Sequence, residues 1–444
     1  MVRPQLIIAP GKEKAILRRH PWLFSGAVKR TEGKPQEGDL VDVCAADGTW
    51  LATGFYEGGS IICKMLSFDT PDIDRDFFRQ RLASAVAYRE RLGFFNYLNS
   101  DLRLPTSDFR PPTSDLRPPT SNLTNVFRMV HAEGDYLPGL VCDWYDGVLV
   151  MQAHSVGMHR LFPLFVELFR ELLGDRLLAV FDKSSATLPL NQSNNQAIRQ
   201  FEDGYIWGID PQEREITENG VKMLINFYEG QKTGFFVDQR ENRALLAGTR
   251  PIGSEPPISL AKGRRVLNCF GYTGGFSLAA LKGGAEYVET VDISKKAIEL
   301  CNRNVEMNFG ADAPHQGTVA DVLDFLARPK DRATQQSLGS SFDFIILDPP
   351  AFAKNHRTLQ QGLKGYRAIN QRAMEALPEG GLLMTFSCSQ AVSKEDFQTM
   401  VFTSAMHAHR RVRIVRQLPH AMDHPVSIHH PEGEYLKGLL LQVE

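Results

Sequence analysis

A cysteine stands directly after an apolar run near the C-terminus: Cys388 lies in FSCSQ and follows GLLMTF. Thiolates add to electron-poor carbon atoms, so a cysteine at a strand end could act as a nucleophile. The alternative is an inert packing residue, because cysteine is often buried. Asp348 follows another apolar run, in LDPPAFAK, where paired prolines stiffen the loop. Together the two side chains could hold and attack a flat ring.

A glycine-rich turn, NCFGYTGGFS, follows a third apolar run and begins a helix. Such a turn lets a ligand approach the backbone, and the helix N-terminus presents free amides. Asp292 comes 21 residues after Gly271 and could accept hydrogen bonds from ribose hydroxyls, and Asp321 follows 29 residues later, near an adenine amino group. The pattern predicts an adenosine cofactor contacted by Asn268, Phe270, Gly271, Thr273, Gly274, Asp292 and Asp321. The alternative is that both aspartates only cap helices.

Strand and helix patterns alternate from residue 216 onward, which predicts a doubly wound, mostly parallel α/β sheet. The predicted strands are 264–270, 287–292, 317–321, 342–348, 381–387, 411–418 and 435–443. A loop alone separates the last two, so they should form an antiparallel hairpin at one edge. Seven strands that end in a hairpin indicate a Rossmann-like class I methyltransferase sheet, with S-adenosylmethionine as the cofactor. The missing GxGxxG disfavours a nicotinamide oxidoreductase.

The length of 444 residues predicts two or three domains. We expect a small β barrel at 1–75, a connector helix and a proline-rich heptapeptide insertion at 76–125, a middle α+β domain at 126–215 and the methyltransferase domain at 216–444. The insertion, SDLRLPT copied about three and a half times, should be dispensable for folding and activity. Residues 1–35 carry eight basic and two acidic side chains although the formal net charge of the chain is −2, which favours an acidic partner there; the alternative is a solvated basic face over the core of the barrel.

Several classes of protein are disfavoured by what the sequence lacks. No run of 18 apolar residues and no signal peptide are found, so we expect no membrane and a cytoplasmic protein. The six cysteines form no CxxC pair, and the histidines between 407 and 430 form no HxxxH pair on a predicted helix beside a carboxylate but fall largely in a solvated loop, so we expect neither disulfides nor a metal.

The two chemistries open to the site differ in the atom that is methylated. A DPP-aromatic loop is typical of methylation at nitrogen, with Asp348 and the proline carbonyls holding an amino group. A pyrimidine C5 is too poor a nucleophile unless a thiolate first adds at C6. Cys388 favours this second reaction, and we expect a nearby cation to lower the pKa of its thiol.

The chain resembles the large-subunit ribosomal RNA cytosine C5-methyltransferases that carry an N-terminal PUA domain. The resemblance rests on LRRHPWLFSGAV, VHAEGDYLPGLVCDWY, GQKTGFFVDQRENR, NCFGYTGGFS, LDPPAFAK and FSCSQ. It implies that the barrel binds ribosomal RNA through Arg18 and Arg19, that Cys388 is the nucleophile and that Asp348 orients the base. It places Lys232, Asp238 and Arg240 near substrate or cofactor, and Phe352 is expected as an apolar wall against the base. A homodimer is possible for such a chain.

Two other functions stay open at this point. Relatives with the same DPP loop methylate guanine, so a base N-methyltransferase is the first alternative. The second is an RNA-binding ribosome assembly factor whose methyltransferase fold has no activity.

Overall fold

The computed structural model describes residues 3–95, 123–188, 202–209, 211, 213–249, 258–327, 342–353 and 355–444. The heptapeptide copies lie almost wholly outside these ranges, so their dispensability stays a prediction. Within the described ranges, no helix combines the length and the apolar character that a membrane span requires.

The N-terminal domain is a six-stranded sheet with its own apolar core. Its elements are β1 (Gln5–Ile8), α1 (Lys14–Leu17), β2 (Trp22–Phe24), β3 (Val28–Glu32), β4 (Leu40–Cys44), β5 (Trp50–Tyr56) and β6 (Ile61–Ser67). The strand order is β2-β6-β5-β4-β1-β3. Alternating apolar residues such as Leu6, Ile8, Val41 and Val43 point inward and are fully buried, which is the pattern that predicted a β domain.

The middle unit packs helices against a five-stranded sheet. Its elements are α2 (Arg75–Arg91), β7 (Val126–His131), β8 (Leu140–Tyr145), β9 (Val148–Ala153), α3 (Val156–Arg160), α4 (Phe162–Leu173), β10 (Ala179–Asp182) and β11 (Gly204–Gly208). Asp74 caps α2 by accepting a hydrogen bond from the backbone N–H of Phe77. Phe78 and Leu82 of this helix are buried in the same core as β7 and α4. The helix predicted as a connector therefore contributes to the core of this unit.

The C-terminal part of the described chain forms a hairpin, a helix and a seven-stranded sheet. The hairpin and helix are β12 (Glu213–Glu218), β13 (Val221–Asn226) and α5 (Arg240–Ala247). The sheet strands are β14 (Arg265–Cys269), β15 (Tyr287–Asp292), β16 (His315–Val319), β17 (Phe344–Leu347), β18 (Gly381–Ser387), β19 (Val412–Gln417) and β20 (Lys437–Val443). The helices between them are α6 (Gly275–Lys282), α7 (Lys295–Phe309), α8 (Val322–Leu326), α9 (Leu359–Ala376) and α10 (Lys394–His407).

The strand order β16-β15-β14-β17-β18-β20-β19, with β20 antiparallel to both neighbours, confirms the predicted class I methyltransferase topology. Most strand ends differ from the prediction by one or two residues. The one that bears on the site is that β16 ends at Val319 rather than 321, which moves Asp321 beyond the strand. In register, Leu347 of β17 pairs with Thr385 of β18, so both strands deliver their following residues to one edge of the sheet.

Candidate active site

A cleft enclosing about 1120 Å³ of empty space, open solvent included, lies at the carboxyl ends of the parallel strands. Ligands of open α/β sheets bind at this edge. The cleft is lined by nine of the predicted site residues: Lys232, Asp238, Phe270, Gly271, Thr273, Asp292, Asp321, Asp348 and Cys388. Segments that are far apart in the sequence therefore meet in one place.

The glycine-rich turn adopts a constrained backbone. Phe270, Tyr272 and Gly274 have φ of 59°, 47° and 88°, and non-glycine residues adopt such values only when their surroundings enforce them. A side chain at Gly271 would meet Thr290 Cγ2 at 2.2 Å, so only glycine fits there. The turn therefore keeps its backbone open to a ligand.

Asn268 and Gly274 do not line the cleft, although the sequence predicted both as cofactor contacts. Asn268 is buried and its Nδ2 donates to Ser277 Oγ at 2.8 Å. A Cβ at Gly274 would meet Cys301 Sγ at 2.4 Å. These two residues support the turn from behind, because their positions face the packed side of α6 and α7.

Asp292 and Asp321 differ in how much of their hydrogen-bonding capacity the protein already uses. Asp292 Oδ2 accepts from the backbone N–H of Tyr272 at 3.0 Å, and Oδ1 accepts from Ser294 at 2.8 Å. Asp321 Oδ1 caps α8 by accepting from Leu323 at 2.8 Å and Asp324 at 3.1 Å. The capping role considered from the sequence is thus present for Asp321, although its side chain also lines the cleft. An acidic group at the end of β15 beside an open glycine turn fits the ribose of an adenosine cofactor.

Replacing Asp292 with alanine should weaken S-adenosylmethionine binding about 10- to 100-fold, because a carboxylate accepting from hydroxyls contributes about 1.5–3 kcal/mol. Isothermal titration calorimetry would measure the affinity. Ser294→Ala is the matched control, since Ser294 caps the neighbouring helix α7 by accepting from Ala297 N–H but does not line the cleft. Equal affinity in wild type and Asp292→Ala would remove Asp292 from the cofactor site.

Asp348 and Cys388 follow β17 and β18 and face the same cleft. The Cys388 thiol lies 3.9 Å from the carbonyl oxygen of Pro349, in the proline loop. Burial, reinforced by the Asp238 carboxylate, raises the pKa of Asp348 to about 7. Asp348 can therefore carry and release a proton near neutral pH, which ordinary carboxyl groups cannot.

The expectation of a lowered thiol pKa at Cys388 is wrong. Burial raises the pKa of this thiol, and the Lys232 ammonium opposes the rise only in part, because the carboxyl groups of Asp348 and Asp238 add to it. The thiol is therefore protonated in the chain alone at neutral pH. Any thiolate must form when a substrate occupies the cleft.

Lys232, Asp238 and Tyr435 form a linked group at the cleft. Lys232 Nζ lies 3.3 Å from Asp238 Oδ2, and the Tyr435 hydroxyl donates to the same oxygen at 2.6 Å. Burial opposes ionisation of Asp238, but the Lys232 ammonium holds its pKa below the usual value. The ammonium is 4.4 Å from the centre of the Phe236 ring. Lys232 and Asp238, two of the three residues that the resemblance placed near substrate or cofactor, therefore line the cleft.

Lys437 is a buried cation behind Cys388 that the sequence analysis missed. It lies opposite Ser387 in β20, and its Nζ donates to the carbonyl oxygens of Ser389 at 2.6 Å and Tyr435 at 2.7 Å. Burial lowers its pKa to about 8. A lysine inside the apolar strand YLKGLLL was the available signal, since a charge at a buried strand position needs a partner.

Arg240 does not reach substrate or cofactor, contrary to the expectation from the resemblance. Its side chain is fully buried, and both terminal nitrogens donate to the carboxylate of the buried Asp423 at 2.8 Å. The guanidinium also lies 4.4 Å from the centre of the Phe94 ring. Its two terminal nitrogens join α5 to the loop between β19 and β20, residues 418–436, which we call the C-terminal loop.

Arg240→Met should lower the free energy of unfolding by about 3–5 kcal/mol, because it leaves the Asp423 carboxylate buried without its cation. Urea denaturation would measure the loss. Arg30→Met removes a cation from an exposed pair with Glu32 and should cost less than about 1 kcal/mol. Similar losses in the two variants would mean that the Arg240 pair contributes no more than a surface contact.

The predicted RNA contacts Arg18, Arg19 and Phe352 lie outside the cleft lining. Arg18 and Arg19 are exposed after α1, and the Arg19 guanidinium pairs with Asp69 at 2.5 and 3.0 Å. Phe352 packs on the Tyr366 ring at 4.7 Å and on the ring of the cleft residue Phe270 at 6.3 Å. Phe352 therefore supports the cleft wall through Phe270.

In the part of the chain that the structure describes, one group of possible metal ligands joins the N-terminal domain to the C-terminal loop. Atoms of His20, His430 and Glu432 lie within 4.8 Å of one another. The three side chains contact one another, with His20 Nε2 3.4 Å and His430 Nδ1 3.1 Å from Glu432, and the Trp22 ring lies on His430 at 4.4 Å. These contacts hold the N-terminal domain against the C-terminal loop.

Two family models match different parts of the chain. Residues 6–68 match the family model of a PUA-like domain, and residues 190–425 match that of an S-adenosylmethionine-dependent methyltransferase. Ribosomal RNA large subunit methyltransferase I of Erwinia tasmaniensis is 36% identical over 442 residues, with 99% of both chains covered. The protein of that name from Aeromonas salmonicida is 36% identical over 446 residues, with 98% of both covered.

Solved structures agree on the fold. A Streptococcus mutans protein reported as a SAM-dependent methyltransferase superposes with a TM-score of 0.75 at 20% identity, and a methyltransferase complexed with SAH gives 0.76 at 21%; both cover 99% of each chain. The cofactor expectation is confirmed: the enzyme depends on S-adenosylmethionine. The chain belongs to the S-adenosylmethionine-dependent methyltransferases with a PUA-like N-terminal domain, the family of the ribosomal RNA large subunit methyltransferases I.

Proposed function

We propose that this enzyme methylates C5 of a cytosine in large-subunit ribosomal RNA through a covalent bond between Cys388 and C6. The RNA class rests on the names of relatives that match nearly the whole chain. The choice of C5 rests on one observation, the thiol of Cys388 in the same cleft as Asp348. We also propose that it acts in the cytoplasm, where that RNA is found.

The cofactor would be held by the open turn at Phe270–Thr273 and by Asp292, with Asp321 beside it. Bound S-adenosylmethionine supplies an electrophilic methyl group. The pyrimidine ring must then become a nucleophile at C5, which is the task of the protein's own side chains.

The mechanism assigns one step to each side chain. The Cys388 thiol gives its proton to water in the open cleft and Sγ bonds to C6, while the protonated Asp348 donates its proton to N3 of the ring. C5, now enamine-like, bonds to the methyl group. The C5 hydrogen then leaves as a proton to water, N3 returns its proton to Asp348 and the C6–S bond breaks, which restores the aromatic ring; the released thiolate takes a proton from water and becomes the thiol again. Lys232 stabilises the negative charge on sulfur.

Release of tritium from ribosomal RNA labelled at cytosine C5 tests this proposal, because only substitution at C5 expels that hydrogen. One tritium should be released for each methyl group transferred from isotopically labelled S-adenosylmethionine, and nucleoside mass spectrometry should find the label in 5-methylcytidine. Label in a methylated purine without tritium release would instead establish base N-methylation by the Asp348 loop. RNA binding without any transfer would establish a non-catalytic assembly factor.

A further inference from the structure

A second cavity lies where the N-terminal domain, the middle unit and the C-terminal loop meet. We call it the junction pocket; its lining includes Arg19, Asp69, Arg81, Glu133, Tyr136 and His429. It encloses about 710 Å³, open solvent included, which is in the size range of small-ligand sites. None of its lining residues belongs to the active-site cleft.

Arg81 is the cation of the junction pocket whose donors are unused. Its guanidinium lies 5.2 Å from the centre of the Phe77 ring and 5.3 Å from that of Tyr136. Among the described residues, no hydrogen bond or ion pair joins this guanidinium to another side chain or carbonyl. Its side chain is half-buried, so the charge has lost part of its water. A partly desolvated arginine with free donors is a strong site for a phosphate.

Tyr136 is an exposed aromatic side chain on a rigid support. Half of it is accessible (53%), and its φ of 59° is uncommon for a bulky residue. The preceding residue, Asp135, accepts from the Arg89 guanidinium at 2.6 and 2.8 Å and from the His131 backbone N–H at 2.6 Å. A strained, exposed aromatic that is held this firmly suits the stacking of a flat base.

The N-terminal domain adds a second cation, Arg19, whose present partner can be displaced. The Arg19–Asp69 pair is exposed on both sides, and such pairs contribute little stability. A phosphate could therefore take the place of Asp69. The other acidic residue of the pocket, Glu133, already accepts a hydrogen bond from Trp22 Nε1 at 2.9 Å.

The junction pocket is connected to the active site through one segment. The C-terminal loop contributes His429 and Ser427 to the pocket, and its residues Ala421 and Tyr435 donate to Asp238 of the cleft at 3.0 and 2.6 Å. The same loop therefore contacts both the junction pocket and the active-site cleft.

We propose that the junction pocket binds a nucleotide of the RNA substrate other than the target cytosine, with its phosphate on Arg81 and Arg19 and its base on Tyr136. This inference rests on the proposed RNA substrate and goes beyond it by assigning a second site. The pocket gives the enzyme a way to register the RNA before the target base enters the cleft.

The test is RNA binding by the full chain saturated with S-adenosylhomocysteine, measured by filter binding of a large-subunit rRNA fragment at several salt concentrations. Arg81→Gln should weaken binding about tenfold at low salt and reduce the salt slope by about one phosphate contact, roughly 0.7–0.9. Tyr136→Ala should weaken binding about tenfold with the slope unchanged, because stacking carries no charge.

Arg79→Gln is the matched control, since Arg79 lies on the same helix and faces Glu171 outside the pocket. It should bind RNA as the wild type does. S-adenosylhomocysteine affinity and thermal unfolding should be the same in all four proteins. If Arg81→Gln and Tyr136→Ala bind with wild-type affinity, or if Arg79→Gln is weakened equally, the pocket is not an RNA site.

The outcomes separate this inference from the proposed reaction. Wild-type protein that binds no rRNA would overturn both the RNA substrate and the junction pocket. Wild type that binds tightly, with Arg81→Gln binding equally, would overturn the pocket alone. Transfer of methyl to a purine would overturn the C5 reaction and leave the binding result standing.

Discussion

Cys388→Ala should lose methyl transfer to RNA by about 10⁴-fold or more, because without sulfur the C5 of cytosine has no route to become a nucleophile. Single-turnover assays with radiolabelled S-adenosylmethionine would measure the rate. Cofactor and RNA affinities should stay close to wild type, since Cys388 is half-buried and donates only a weak contact to Pro349.

Cys269→Ala is the matched control for this loss. Cys269 ends β14 at the same edge of the sheet but is fully buried and does not line the cleft. It should retain the wild-type rate and lose only a little stability. RNA that contains 5-fluorocytidine should form a denaturation-resistant adduct with wild type and with Cys269→Ala but not with Cys388→Ala, because fluorine at C5 prevents the final elimination. Full activity in Cys388→Ala would remove the covalent mechanism.

The sequence contained enough to place Asp292, Asp348 and Cys388 in one cleft. Each follows an apolar run, and parallel strands deliver their carboxyl ends to the same edge, so residues spread over about a hundred positions meet without any further information. The hairpin of β19 and β20 was predictable for a similar reason, because a loop without a helix can only reverse the chain. Local patterns and one topological rule therefore account for the part of the site that was predicted.

Contacts between distant loops were not predictable in this way. Arg240 and Asp423 are far apart in the sequence, and no periodicity of the sequence indicates that their charges pair in the interior. The resemblance placed Arg240 near substrate or cofactor, whereas its two terminal nitrogens donate to the buried Asp423. The prediction of a lowered pKa for the Cys388 thiol was wrong for a related reason. The direction of the pKa shift depends on burial and on two nearby carboxyl groups, which only the folded structure brings together.

The Asp348→Asn variant should be more stable than the wild type at pH 8. The difference in free energy of unfolding should grow as the pH rises. The folded pKa of about 7 lies above the ordinary value, so the wild-type carboxyl stabilises the fold fully below about pH 4 and loses that contribution as the pH rises through 7. The full shift corresponds to about 4 kcal/mol, and because solvent reaches the half-buried side chain we expect about 2 kcal/mol. Urea denaturation at pH 5 and pH 8 would measure the difference.

Asp47→Asn is the control, because the pKa of the Asp47 carboxyl is shifted in the opposite direction. Asp47 is fully exposed, and the backbone N–H of Thr49 lowers the pKa of its carboxyl. Its contribution to stability is present above its unfolded pKa and is lost only as the pH falls. Asn at this position should therefore bring no gain in stability at pH 8. A gain there equal to that of Asp348→Asn would show that burial of Asp348 is not the cause.

The same Asp348→Asn substitution should slow methyl transfer about 10²- to 10⁴-fold, because an amide can donate a hydrogen bond but cannot release a proton to the ring. The wild-type single-turnover rate should fall as the pH rises through about 7, where Asp348 loses its proton, and that limb should be missing in the variant. A residue that costs stability at pH 8 and is needed for the reaction has been kept for its chemistry. A variant that is less stable at pH 8 and fully active would instead make Asp348 a structural residue of the proline loop.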